Sequence, residues 1–292
     1  ITRIVTRSYA NFYFEADFTG REYTVAAVGA DDGDGSGQPI YPWRGRLRPS
    51  NADGAVAAQI TTLMGTAVPS HFPAGSGAPT YTGPSEWKYR RFILHLAALA
   101  RAAGGVDAFL IGSEMVGLTT ATDTAGVYPF VTALKTLAAD VKTMLPGTKV
   151  SYAADWTEYH SHQSGTNLYF HLDPLWSDPN IDFIGIDNYM PLSDWRDGWD
   201  HLDALEWPSI YDRGYLQANV AGGDGYDWFY ASAADRAAQI RTPITDGLGK
   251  SWVFRYKDIH GWWSNQHRNR PGGAEAATPT AWVPQSKPIW LM

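Results

Sequence analysis

Three carboxylates stand where short apolar runs end, and these are the residues whose types and spacing could do chemistry. Phe109-Leu110-Ile111, introduced by Gly104-Gly105 and closed by Gly112, reads as a strand buried on both faces, with Glu114 just past its end. Lys149 to Asp155 is a second such strand ending in a carboxylate. Ile181 to Tyr189 is a third, closing on Asp187-Asn188-Tyr189. Two carboxylates flanking a glycosidic bond suffice to hydrolyse it: one protonates the leaving oxygen, the other attacks carbon or activates water. Glu114 is the natural proton donor of such a pair, against the alternative of a polar residue that merely ends a strand. Asp155 and Asp187 are rivals for direct chemistry, and aspartates at strand ends also serve to orient neighbouring loops.

Helices must position these ends. Tyr89, Phe92, Ile93, Leu96, Leu99, Ala100 and Ala103 share one helical stripe, which Ser85-Glu86 opens and Gly104-Gly105 ends. Val127 to Leu145 keeps helical spacing until Pro146-Gly147. A short helix over 53–64, an aromatic-rich helix over 167–176 and an alanine-rich helix from Ser232 to Ile240 complete the set, and Pro288 to Met292 is a last apolar strand. Buried strands alternating with helices predict a parallel sheet with helices outside. Polar groups at three successive strand ends favour a (β/α)8 TIM barrel of the α/β class, with long loops on the carboxyl-end face. Residues 1–40 read as a separate strand-rich segment, and 41–292 as the barrel domain.

The chain has 292 residues, a formal charge of -7 and no cysteine. That balance argues against a nucleic-acid partner, and disulfides and thiolate chemistry are excluded. No Gly-x-Gly-x-x-Gly or Walker turn follows a strand, so no cofactor is expected, and no apolar run reaches the length of a membrane span. Ile1-Thr2-Arg3 looks like an internal cut or a processed start. The 13 tryptophans and 16 tyrosines suit sugar recognition as well as core packing. Trp262, Trp263 and Arg255, with Trp252, could line a saccharide groove or pin a long loop. His160, His162 and His171 could hold a metal, although surface histidines are the simpler reading. Asp31 to Gly37 imitates the start of a calcium loop but has Trp43 at the twelfth position, so a solvated turn is expected.

Phe109 to Met115 resembles the fourth-strand signature of clan A glycoside hydrolases. Much of the chain from Tyr41 onward resembles the glycoside-hydrolase TIM-barrel-like domain of gene transfer agent and phage tail-tip proteins. The blocks that carry this likeness are 41–46, 103–114, 171–176, 185–198, 252–258 and 279–290. The resemblance implies that Glu114 is the acid/base of a retaining mechanism and Tyr189 a residue that contacts the nucleophile. Asp155, Asp187, Asn188, Arg255, Trp262 and Trp263 are then expected to bind substrate, with no metal. The nucleophile is expected directly after the strand ending at Met292, so the sequence reads as a piece of a longer polypeptide, its barrel incomplete at the seventh strand. The implied setting is the tail tip of a phage-like particle made in the bacterial cytoplasm. The implied partners are cell-envelope polysaccharide or peptidoglycan glycan and other baseplate proteins. A non-catalytic structural or glycan-binding module is the alternative, and a free-standing saccharide hydrolase a third possibility.

Overall fold

The computed structural model describes residues 44–49, 56–75 and 77–292, and the strand-rich and calcium-like readings of the first 40 residues lie outside them. Among the described residues two compact units are present, one formed by those up to Asp187 together with Gln266–Met292, the other by Asn188–Asn265.

The first unit is built on a parallel four-stranded sheet. Its strands are β1 (Ala108–Ser113), β2 (Lys149–Asp155), β5 (Ile184–Asp187) and β8 (Ile289–Leu291), in the order β1-β2-β5-β8. All four coincide with the expected apolar runs, and among the described residues they form an open arc of the expected α/β architecture. Helices α1 (Val56–Met64), α2 (Tyr89–Ala102) and α4 (Pro129–Met144) pack with one another, and α4 packs against β1 and β2. Phe130, Val131, Leu134, Leu137, Ala138, Val141 and Met144 are buried on α4, the face that the 3.6-residue period requires. On α2 the expected Tyr89, Phe92, Ile93 and Leu96 are buried, joined by Leu94, Ala97 and Ala98, while Leu99 is exposed.

Two expectations are corrected. The helix foreseen from Ser85 begins at Tyr89. Glu86 instead accepts hydrogen bonds from the Thr66 and Ala67 amides, both at 2.8 Å, and so pins the end of the preceding loop. Residues 167–176 are not one helix. Asn167–Tyr169 (β4) pairs antiparallel with His162–Ser164 (β3), and only Asp173–Trp176 (α5) is helical. The turn between the two strands is Gly165-Thr166, with Gly165 at φ 58°, a left-handed position that favours glycine in a two-residue hairpin loop.

Close strand packing explains two glycines near the sheet's carboxyl end. A Cβ on Gly185 would stand 2.6 Å from the Tyr152 carbonyl oxygen, and one on Gly112 would stand 2.6 Å from the Tyr89 hydroxyl. Tyr89 donates that hydroxyl to the Ile111 carbonyl at 2.7 Å, tying α2 to β1. The β1–β2 register slips between Leu110 and Ser113, a bulge that twists the strand just before Glu114.

The second unit consists of short helices α6 (Leu202–Glu206), α7 (Arg213–Ala218), α8 (Ala233–Ala238) and α9 (Ile259–Ser264), with a two-stranded ribbon of β6 (Trp228–Phe229) and β7 (Thr242–Pro243). Helices this short do not persist on propensity. Each here has a side-chain N-cap: His201, Asp212, Ser232 and Asp258 accept from Ala204, Tyr215, Asp235 and Gly261 respectively.

Candidate functional site

Glu114 lies one residue beyond β1, at the carboxyl edge of the sheet, with its backbone at φ 52°. A left-handed conformation costs a non-glycine residue roughly 1–2 kcal/mol. Two backbone ties hold it: the Glu114 amide donates to the Ala153 carbonyl at 2.7 Å, and the next amide, Met115, donates to the Tyr152 hydroxyl at 2.6 Å. The residue is only 6% exposed, and its side chain forms an ion pair with Arg44.

Arg44 organises the rest of the edge. Its Nε donates to the Ser113 carbonyl at 2.6 Å and its Nη2 to Ser113 Oγ at 3.0 Å. Ser113 Oγ in turn donates to Asp187 Oδ2 at 2.7 Å. Guanidinium, serine and two carboxylates from β1 and β5 thus form one continuous polar network. The approach of Arg44 depends on a third glycine, because a Cβ on Gly117 would stand 2.5 Å from the Leu47 carbonyl oxygen in the same segment. Gly117 lies on the short helix α3 (Val116–Thr119), which follows Glu114 directly.

Behind this edge sits Glu158, 1% exposed. Its Oε1 accepts from the Tyr152 hydroxyl at 2.9 Å and from the Thr119 hydroxyl, and its Oε2 accepts from the Asp155 amide at 3.0 Å. Burial raises its carboxyl from 4.5 to about 7, against the three donors, which lower it, and with a further upward push from Asp155.

The other expected residues divide between the two units. Asp155 caps a turn: its Oδ1 accepts from the Thr157 amide at 2.8 Å and from the Thr157 hydroxyl, the loop-orienting role left open above. In the second unit Asn188 is exposed and its Oδ1 accepts from the Met190 amide at 3.1 Å, which shapes its own turn. Tyr189 is 60% exposed. Arg255 stands 4.8 Å from the centre of the Tyr226 ring, and Trp263 is partly exposed on α9. Trp262 is 0% exposed. Its indole is core, so the expectation that it lines a saccharide groove is corrected: at its place in α9 no face of the ring is open.

His162 and His171 do come together, with ring centres 5.9 Å apart. Burial pushes His171 down to about 3, aided by His162 and His160. Among the described residues no three His, Asp or Glu side chains converge as a metal site would require. None of the described helices is long and apolar enough to cross a membrane. A cleft of about 1010 Å³ opens at the amino ends of the strands, lined by Gly104 to Asp107, Met144 to Lys149 and Trp290. It belongs to the face opposite the carboxylates, the one that in alternating barrels serves stability.

Two residues of the site carried no sequence expectation. Arg44 was visible only as part of an aromatic-flanked block, and nothing local shows that it reaches a residue 70 positions away. Glu158 stands three residues after a strand-ending aspartate, a spacing that permits one helical turn to fold its carboxylate back onto the Asp155 amide.

Chemically, the edge offers a guanidinium and two carboxylates held in fixed relation. Glu114 accepts from Arg44 through Oε2 and so forms the negative partner of that pair. A comparison with curated proteins returned no match. The family model described as the GTA TIM-barrel-like domain, GTA standing for gene transfer agent, matches residues 87–292. That span takes in all four sheet strands, Glu114, Glu158 and Asp187, and begins after Arg44. The chain belongs to the GTA TIM-barrel-like domain family.

Proposed function

We propose that this chain is the glycan-engaging barrel module of a gene transfer agent particle. It works at the tail tip, and Arg44, Ser113, Glu114 and Asp187 form its contact with cell-envelope saccharide. The observation that carries the reading is Glu114 itself: a nearly buried carboxylate, held in a left-handed backbone at the carboxyl edge of a parallel sheet. Strain of that kind is kept where the surrounding structure enforces it, and such positions concentrate at ligand sites. Saccharide hydroxyls pair well with a planar guanidinium beside a carboxylate, because each hydroxyl both donates and accepts.

Hydrolysis is the second reading. Glu114 and Asp187 share the Arg44–Ser113 network, which supports a two-carboxylate mechanism in which one of them acts as acid. Arg44 occupies Oε2 of Glu114 and the carboxylate is nearly buried, so engagement without turnover is the preferred form. The test is binding of the purified chain to peptidoglycan fragments, with reducing-end release followed in parallel. Saturable binding that weakens at least tenfold in both Glu114→Gln and Arg44→Met is expected. No binding by the unaltered chain overturns the reading. Release of reducing ends that Glu114→Gln abolishes would move the conclusion to hydrolysis.

A further inference from the structure

We propose that Glu158 is a positioning residue for Glu114, acting through the Tyr152 hydroxyl on the Met115 amide. The functional weight of this proposal rests on the reading of Glu114 as the working residue, although its physical content does not.

The backbone at Glu114 is clamped on both sides by β2. On one side the Glu114 amide uses the Ala153 carbonyl, an ordinary strand contact. On the other side no backbone acceptor serves. The Met115 amide uses the Tyr152 hydroxyl, and a hydroxyl that accepts in this direction must send its own proton elsewhere. It sends it to Glu158 Oε1. The carboxylate therefore sets the orientation of the hydroxyl, and the hydroxyl holds the amide that follows the left-handed residue.

Four groups face Glu158. Tyr152 and the Asp155 amide come from β2 and its end, Thr119 comes from α3, and Asp155 adds a like charge. All three hydrogen-bonding partners donate, so the ionised carboxylate is the form they fit. When Glu158 takes up a proton it becomes a donor itself. With the proton on Oε1, the oxygen that both hydroxyls use, Tyr152 or Thr119 turns its hydroxyl around, and if Tyr152 turns, its contact with Met115 is recast. The tyrosine cannot take over the negative charge, since burial and Glu158 raise its own hydroxyl well above the usual range. The Glu114 turn is thereby coupled to a proton that never touches Glu114.

The experiment follows the Met115 amide resonance of the whole chain against pH by NMR, alongside the Glu158 carboxyl carbon. Both are expected to move together with a midpoint near 7. Thr119→Val, which removes one donor to the ionised form, is expected to raise that midpoint for both nuclei. Tyr152→Phe is expected to silence the amide response while Glu158 still titrates. If Tyr152→Phe does not fold, Thr119→Val decides alone. An amide that stays flat while Glu158 titrates, or a midpoint unmoved in Thr119→Val, overturns the proposal. Glycan binding is measured separately. Its absence removes the proposed function and leaves the amide result standing, whereas binding whose pH profile follows the amide midpoint, and shifts with it in Thr119→Val, supports both.

Discussion

Asp194 and Glu158 are both carboxylates surrounded by donors, one in the Asn188–Asn265 unit and one behind the sheet edge, and their titrations are displaced in opposite directions. Asp194 accepts from Arg241 at 2.9 Å, Gln239 at 3.2 Å, Arg196 at 3.3 Å and the Tyr230 hydroxyl. Burial pushes its carboxyl up, but these bonds together outweigh burial and hold it below the usual range. Glu158 has three donors and no cation among them, and burial wins. A neutral hydrogen bond contributes about 0.5–1.5 kcal/mol net, one to a charged partner about 1.5–3. Counting donors therefore does not tell which carboxylate is comfortable. A partner cation and remaining contact with water decide it. Asp194 is a strut, whereas Glu158 holds a charge its surroundings only partly compensate, and that is the kind of group on which a functional edge can turn.

The harshest way to break the comparison is to delete each carboxylate's partner set. Glu158→Ala leaves the Thr119 and Tyr152 hydroxyls and the Asp155 amide without their acceptor in a dry site. A loss of about 3–5 kcal/mol in urea unfolding is expected, since each orphaned donor costs about 1–3 kcal/mol and water recovers part of it. A loss below about 1 kcal/mol would mean that the donors find other partners.

The next effect is in pH. Between pH 4.5 and about 7 the folded chain holds the Glu158 proton that the unfolded chain has released. That group's contribution is therefore full below pH 4.5 and is lost as pH rises to about 7, amounting to about 3 kcal/mol at 1.36 kcal/mol per pH unit. His171 works the other way, because its folded imidazole stays neutral down to about 3 while the unfolded one charges. The quantity to measure is thus the stability difference between the unaltered chain and Glu158→Gln across this range, which should slope downward with rising pH. Asp194 predicts the opposite sign at lower pH: its folded carboxyl is held down, so its contribution is present above the ordinary aspartate range and is lost on acidification. An Asp194→Asn difference that grows as pH falls would erase the contrast.

Removing the cation tests the strut directly. Arg241 bridges Asp194 and Asp203, the latter at 2.7 Å. Arg241→Met should cost about 2 kcal/mol, at the lower end for a buried pair because the guanidinium keeps some solvent contact. It should also move the Asp194 titration upward, readable by carboxyl-carbon NMR. No movement would mean that Tyr230 and Gln239 suffice.

The smallest effect concerns backbone strain. Gln285 shares the left-handed backbone of Glu114, at φ 59°, but is exposed and lies outside the carboxylate network. Gln285→Gly should stabilise by about 0.5–1 kcal/mol in thermal unfolding. A loss there would show that its conformation is held by contacts, as that of Glu114 is.

Much of the frame was legible along the chain. The four sheet strands, the buried face of α4 and the alanine-rich helix after Ser232 follow from periodicity and composition, which act over a few residues. The 167–169 strand was misread because three residues carry too little pattern to outvote nearby aromatics, although Gly165-Thr166 held the hairpin signal. Glu86 looked like a helix start because the Thr66 and Ala67 amides that claim it are 20 and 19 residues away. Apart from the alanine-rich helix after Ser232, the compact Asn188–Asn265 unit showed no period, its helices being too short to display one.

By itself the sequence determined that Glu114, Asp155 and Asp187 would each stand at the end of a buried parallel strand. Alternation of apolar runs and helical stripes admits few other arrangements. Only the tertiary structure decided what those carboxylates do, giving Asp155 to a turn, Glu114 to Arg44 and Asp187 to Ser113. It also supplied Glu158, whose importance is nowhere in its neighbours along the chain. The reason is one of range: hydrophobic periodicity is written locally, whereas the protonation and orientation of a buried carboxylate depend on donors and charges brought together from distant segments.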